Sequence, residues 1–513
     1  MAKIDVRMPA LRAGTVAALA VALVCGFVVL AGCASAPVDL TGVTSYYVRA
    51  NGKDKNAGIS EEKPFKTLAK AVEAASGSTV KTITVLGTLN SALPEITNTG
   101  AEIVITGKPD AAARDKAVLQ IPKEGKAFNA GGDSRIRFEH ITITGGELSG
   151  IQVNEGATVT LGQGAVVSGN SRRYGGGILV IKGGTLVMSG NALVTKNHAD
   201  SGGGIFTVGT LLMKDDALVS ENDVGMTDDG KDGQGGGVYA ENAEVTLEGN
   251  AAVVKNSGFW GGGIYINPKS ALVMRDSASI RENTIRFKAP KGGAHIGGSG
   301  GGVYLAGSLT MRAASAVSGN KAAYGGGILV GSTGGLVMED RSVVKGNTAG
   351  TGTESDGTLF GGFGGGVSLA GTGKLTMRGE SSLSGNEGLF GGGLRTDPDS
   401  QAVLEGKASI KNNSATQNNE KKYGGNGGGG VIQGTFTLRD AAQVSGNTAR
   451  YSGGIDLYGK LILEGNAKVT GNTATVDGGG VYINKGGSVT GDSSLIGGNK
   501  ADEGADIFTK TED

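Results

Sequence analysis

Three aspartates, Asp228, Asp229 and Asp232, crowd one stretch of a chain that has only 3 histidines and 2 cysteines among 513 residues. Clustered carboxylates can act as general acids and bases or hold a cation. The stretch around them, DVGMTDDGKDGQ, is polar and glycine-rich, the composition of a solvated loop. His140, His198 and His295 lie far apart in the chain, and no acid–base pair recurs on neighbouring repeats. Asp54 and Asn56 have calcium-ligand chemistry but stand among turn formers, Gly52 and Gly58, and read as turn residues. Gly297 to Gly302 can be aligned with a dinucleotide fingerprint, yet no strand–turn–helix unit surrounds it. No glycine triplet leads into the Gly-Lys-Ser/Thr of a phosphate loop either. No catalytic, metal-binding or cofactor-binding residue is assigned on these grounds.

The aromatic residues offer a different chemistry. Phe206, Tyr239, Tyr265 and Tyr304 each follow, by one position, an apolar residue that recurs along the chain. Trp260, Tyr324, Phe363 and Phe390 each directly precede a glycine cluster. Strand alternation turns the first set outward, stacked over four consecutive coils. Stacked aromatics could grip sugar rings or a partner protein, or they could simply stabilise the stack. These eight residues are the candidate binding surface.

The elements that must position them are repeats. The chain holds 96 glycines and only 9 prolines, and its apolar residues recur in order. One unit runs YGGGILVGSTGGLVMEDRSVVKGN, Tyr324 to Asn347. The apolar residue after the glycine cluster falls at Ile151, Ile178, Ile205, Val238, Ile264, Val303, Ile328, Val367, Leu394, Val431, Ile455, Val481 and Ile507. The shorter intervals, 24 to 27 residues, suit one solenoid coil of three short strands and three turns. A propeller blade would need about 40 to 45. The spacing therefore predicts an all-β, right-handed parallel β-helix of about 13 or more coils, on the order of 60 Å long.

Each third segment opens on Leu, Met or Thr, and nine positions later stands an asparagine: Asn170, Asn197, Asn222, Asn256, Asn283, Asn320, Asn347, Asn386, Asn413, Asn447, Asn472 and Asn499. A turn of unchanging length is set by stacking. Asparagine tolerates the left-handed conformation, and its amide can bond to the amide above and below, so a structural ladder is expected. The glycines serve positive φ and close packing of successive turns. Variation lies between each asparagine and the next strand. Long loops at 223–234, 284–299, 348–363 and 414–427 occur in every second coil. All four enter at one turn and must project from one edge, about 10 Å apart, as a row of displayed loops.

At the N-terminus, Lys3, Arg7 and Arg12 precede an apolar run ending in Leu30-Ala31-Gly32-Cys33. This resembles the bacterial lipoprotein signal, which implies a signal peptide over 1–32, a lipid on Cys33 and a tether over 33–44. Ala34, where an aspartate would favour inner-membrane retention, points to the outer membrane. Without Lys3, Arg7, Arg12 and Asp5, 45 basic and 47 acidic residues remain, a balance with no electrostatic case for nucleic acid. Residues 45–128 are read as an N-terminal cap with the first irregular coils, and 129–513 as the repeat domain. Tyr47, Val48, Asn51, Gly52, Asp54, Asn56, Gly58, Pro64, Phe65, Thr67, Leu68 and Ala71 resemble the opening of secreted parallel β-helix proteins. There the segment caps the helix, and here Pro64 is expected to open a helix with Phe65, Leu68 and Val72 on one face.

The repeat, with GGG-[IV], L-x-M and SGN, is similar to those of polymorphic outer-membrane proteins and adhesin-type surface proteins. The chain departs from them in lacking an obvious C-terminal membrane barrel, so the lipid would replace the barrel as anchor. The resemblance implies a lipid-anchored envelope protein that displays loops to a glycan or host protein. A polysaccharide lyase or glycoside hydrolase of the same fold is the alternative, and a passive envelope spacer is the third reading.

Overall fold

Gly335–Met338 buries Leu336 and Met338 and leaves Val337 half-buried, so the run pairs edge to edge and cannot stand alone. Its partners are its own repeats: Leu309, Leu336 and Leu375 are in register, as are Met311, Met338 and Met377. The computed structural model describes residues 42–90, 93–110, 116–122, 125, 127–227, 232–288, 296–353, 357–418 and 422–510. Over these, strands one coil apart pair in parallel throughout the main sheets. Parallel pairing at every coil, with the right-handed crossover rule, makes the architecture a right-handed parallel β-helix.

Each full coil crosses four sheets, not the three strands expected. Taking the coil from Ile328, Ile328–Val330 belongs to a sheet of 15 strands (sheet 1) and Gly335–Met338 to one of 16 (sheet 2). Val343–Lys345 belongs to a sheet of 14 (sheet 3), and Thr348–Ala349 to a ladder of 11 (sheet 4). Sheet 4 strands are mostly two residues long and carry no apolar alternation to betray them. The inward positions of sheets 1 to 3 form one continuous core from Tyr46 to Ile496.

Two boundaries shift. Leu394 pairs with Gly430, so Gly430, not Val431, occupies the recurring apolar slot, because four consecutive glycines displace the pattern by one. The N-terminal helix is Leu68–Ala75, four residues later than Pro64. Phe65 is held instead by a parallel bridge to Val48, and Asp54 Oδ1 accepts from the Lys66 and Thr67 amides at 2.9 Å. Thr67 then caps the helix, accepting from Lys70 N. Asn56 Nδ2 donates to Pro64 O at 2.7 Å, so Asp54 and Asn56 both help to close this turn. The helix packs on Ser45–Val48 and Lys81–Val85.

Candidate functional site

The asparagines lie inside the turn, 0 to 7% exposed. Asn347 Nδ2 donates to Asn386 Oδ1 and to Val317 O, both at 3.0 Å, while its Oδ1 accepts from Asn320 N and Nδ2. The pattern runs coil to coil from Asn170, whose Oδ1 takes the Gly146 amide, to Asn499, whose amide and Nδ2 both bond Asp506 Oδ1. The left-handed residue is not the asparagine but the one before it, such as Lys196, Glu221, Lys255, Glu282 and Gly346. The glycine triplet completes this device. Gly325 has φ +60°, and a Cβ on Gly327 would fall 2.9 Å from Asn347 Nδ2.

The aromatic columns stack as sequence alternation requires. Ring centroids of Phe206, Tyr239, Tyr265 and Tyr304 are 4.7, 5.2 and 4.8 Å apart, with planes within 22° of parallel. Tyr324, Phe363 and Phe390 form a second stack at 5.5 and 5.0 Å. Trp260 stands in the same row, bridged to Gln234 and Ser299. Face-to-face stacking at this spacing turns each inner ring's faces to its neighbours, and a sugar needs a free face to lie on. Phe206 is only 8% exposed, and burial pushes the Tyr265, Tyr304 and Tyr239 phenols up. Stacked on one another in this way, the inner rings of each column brace successive coils.

The long loops build the projecting surface. Three of them fold into β-hairpins: Phe287–Lys288 with Ile296–Gly297, Thr351–Thr353 with Leu359–Gly361, and Gln417–Asn418 with Tyr423–Gly424. Phe287 meets Phe360 edge-on at 5.0 Å, and Tyr423 Oη donates to Gly361 O at 3.5 Å, so each hairpin leans on the next. Short coils fill the gaps between them, hydrogen-bonded in series: Gly298 N to Phe259 O, Ala323 N to Gly298 O, Gly362 N to Ala323 O, Leu389 N to Gly362 O, and Gly425 N to Leu389 O. Between the first two hairpins lies a cleft of about 190 Å³, lined by Ile285, Phe287, Lys321, Ala323, Thr348 and Thr351 among others.

A charged cluster sits at the first loop. His198 Nδ1 and Asp223 Oδ1 are 3.1 Å apart, and Arg286 Nη2 reaches Asp223 Oδ2 at 3.5 Å and bonds Val224 O. Arg286 lies 5.0 Å over the Phe259 ring. The hydrogen bond to Asp223 raises His198 above its ordinary pKa, and His198 in turn holds Asp223 below the usual carboxylate range. This is an acid–base pair on neighbouring coils, which the sequence reading had not found. Its signal was present: each residue directly follows a ladder asparagine and so shares one row of sheet 4. Asp232, 7% exposed, pairs with Arg173 at 3.6 Å and accepts from Thr227. Asp228, Asp229, His295 and Cys33 lie outside the described residues. Among the described residues no group of three or more His, Cys, Asp or Glu side chains is placed to hold a metal ion. No helix there is long and apolar enough to cross a membrane.

The fold and its hairpin edge define a β-helix solenoid that presents a row of loops. No protein-family model matches the chain, and no curated protein matches it. Among solved structures it is similar to pectate lyase Pel9A, at 16% identity and a TM-score of 0.30, over 71% of this chain and 76% of that one. At that score the likeness carries no argument about activity.

Proposed function

We propose that the protein is a lipid-anchored recognition scaffold of the cell envelope, held to the outer membrane through Cys33, with the hairpin edge engaging a glycan or a protein surface. One observation supports this most: three hairpins of different sequence rise from one edge and brace one another, while the coil beneath them keeps a constant architecture. Rigid display with variable loops is how repeat scaffolds form recognition surfaces. Two of the carboxylates that stacking brings together are held in ion pairs. Glu339 lies between Arg312 and Arg378, and Glu405 between Arg378 and Arg439.

Incubating the purified protein with a panel of polysaccharides tests this reading against its alternatives. Binding without cleavage, lost when 284–299 and 348–363 are shortened to the length of 321–324, is the expected outcome for a glycan partner. Depolymerisation would overturn the reading in favour of an enzyme. Unchanged binding in the shortened variant would remove the hairpins from the account.

A further inference from the structure

The cleft between the first two hairpins has a physical origin in one residue. Phe259, Ala323, Leu389 and Arg450 each stand three positions after a ladder asparagine on short coils, and the first three lie between two long loops. Leu389 fills the space between its flanking hairpins: a Cβ on Gly362 or Gly424 would fall 2.7 or 2.5 Å from its side chain. Phe259 packs in the same way against Gly233 and Gly297. At Ala323 the flanking glycines are Gly298 and Gly361, the backbone bonds are the same, and the side chain stops at Cβ. Phe360 reaches toward the same place, its Cε2 3.8 Å from where a Cβ on Gly298 would stand, and the space that remains is the cleft lined by Phe287, Lys321, Ala323 and Gly352.

We propose that this notch receives a single leucine- or phenylalanine-sized side chain from a partner protein, with an acidic residue of the partner set against Lys321. The proposal rests on the hairpin-edge reading above and names the partner's chemistry. Sister coils show what fits in this place: Leu389 between the second and third hairpins, and Phe259 between the first loop and the first hairpin. About 190 Å³ falls below the range of roughly 300–1,000 Å³ for small-molecule pockets and suits one buried anchor. Ala323 on the floor is 7% exposed, and Phe287 on the wall is 41% exposed. Lys321 is exposed and pairs in the ladder with Thr284 on one side and Thr348 on the other. Lys196 and Lys255 have Glu221 and Glu282 one coil away, whereas Lys321 has no ion-pair partner among the described residues. Charge complementarity therefore selects an anchor flanked by Asp or Glu.

A phage-displayed library of random 12-residue peptides, selected on the full-length protein, provides the probe. The enriched peptides should carry Leu or Phe beside Asp or Glu. Their affinity should fall at least tenfold in Ala323→Leu, which plugs the notch with the sister residue, and be kept in Ala323→Gly, which leaves it open. Lys321→Glu should weaken them by a similar factor. Matching circular dichroism melts for the three variants exclude a folding defect. Peptides that bind Ala323→Leu as tightly as the parent, but need the hairpins, would overturn the notch and leave the recognition edge standing. Selected binding that survives shortening of both hairpins would overturn both. A polysaccharide that binds and is blocked by Ala323→Leu would replace the protein anchor with a glycan.

Discussion

Asn347 makes its stabilising contribution through what it leaves unpaired when removed. Asn347→Ala strips partners from the Asn320 amide, Asn320 Nδ2 and Val317 O, all buried. Unsatisfied buried groups cost about 1–3 kcal/mol each, so a loss of about 3 kcal/mol or more is expected in chemical denaturation. Its neighbour behaves oppositely. A Cβ on Gly346 meets open space, and Lys196 and Lys255 adopt the same left-handed φ in sister coils. Gly346→Lys should therefore cost only about 1 kcal/mol. Asp456 gives a pH-dependent counterpart. It is 2% exposed, and burial raises its carboxyl to about 6 despite a 2.7 Å bond from Asn484 Nδ2. A raised carboxyl is best tolerated below its ordinary 3.8, and stability is lost as pH rises through about 6. Asp456→Asn should flatten that fall and stabilise the protein at pH 8 by up to about 3 kcal/mol, read from melts across pH 4 to 8.

At the scale of elements, the coil was legible wherever chemistry repeats. The asparagine and glycine rows and the outward aromatic columns all show in the spacing, because stacking forces equal lengths on the turns that carry them. Sheet 4 was not legible, since a pair such as Thr348–Ala349 is too short to show a period. The His198–Asp223 pair and the Phe259, Ala323, Leu389 series become visible only when residues are counted from the ladder asparagine rather than read in order. The latch that Arg286 forms over the first loop also belongs to this scale. His198 is raised from 6.5, so its bond contributes fully below that value and is lost as pH rises through the raised pKa. Asp223 is lowered from 3.8, so its share is lost only as pH falls through that lower value. The latch is tightest between those limits. Hydrogen exchange at 223–225, corrected for the chemistry of exchange alone, should be slower at pH 5.5 and should lose that protection as pH rises through the raised His198 pKa. His198→Gln should abolish that difference.

Across the whole molecule, rigidity and variation are assigned to different places. The 16 strands of sheet 2 span about 70 Å at the spacing of paired strands, with one core running through the coils. Contacts in such an array are to nearest neighbours, so loops can lengthen on every second coil without disturbing the stack. Recognition should then register on the hairpin edge and nowhere else. The most direct measurement is hydrogen exchange by mass spectrometry on the full-length protein, with and without a ligand from the peptide or polysaccharide panels. The account predicts slowed exchange in 285–288, 321–324 and 348–353, with sheets 1 to 3 unchanged. Slowed exchange confined to the outward strands of sheet 2, with the hairpins unaffected, would contradict it.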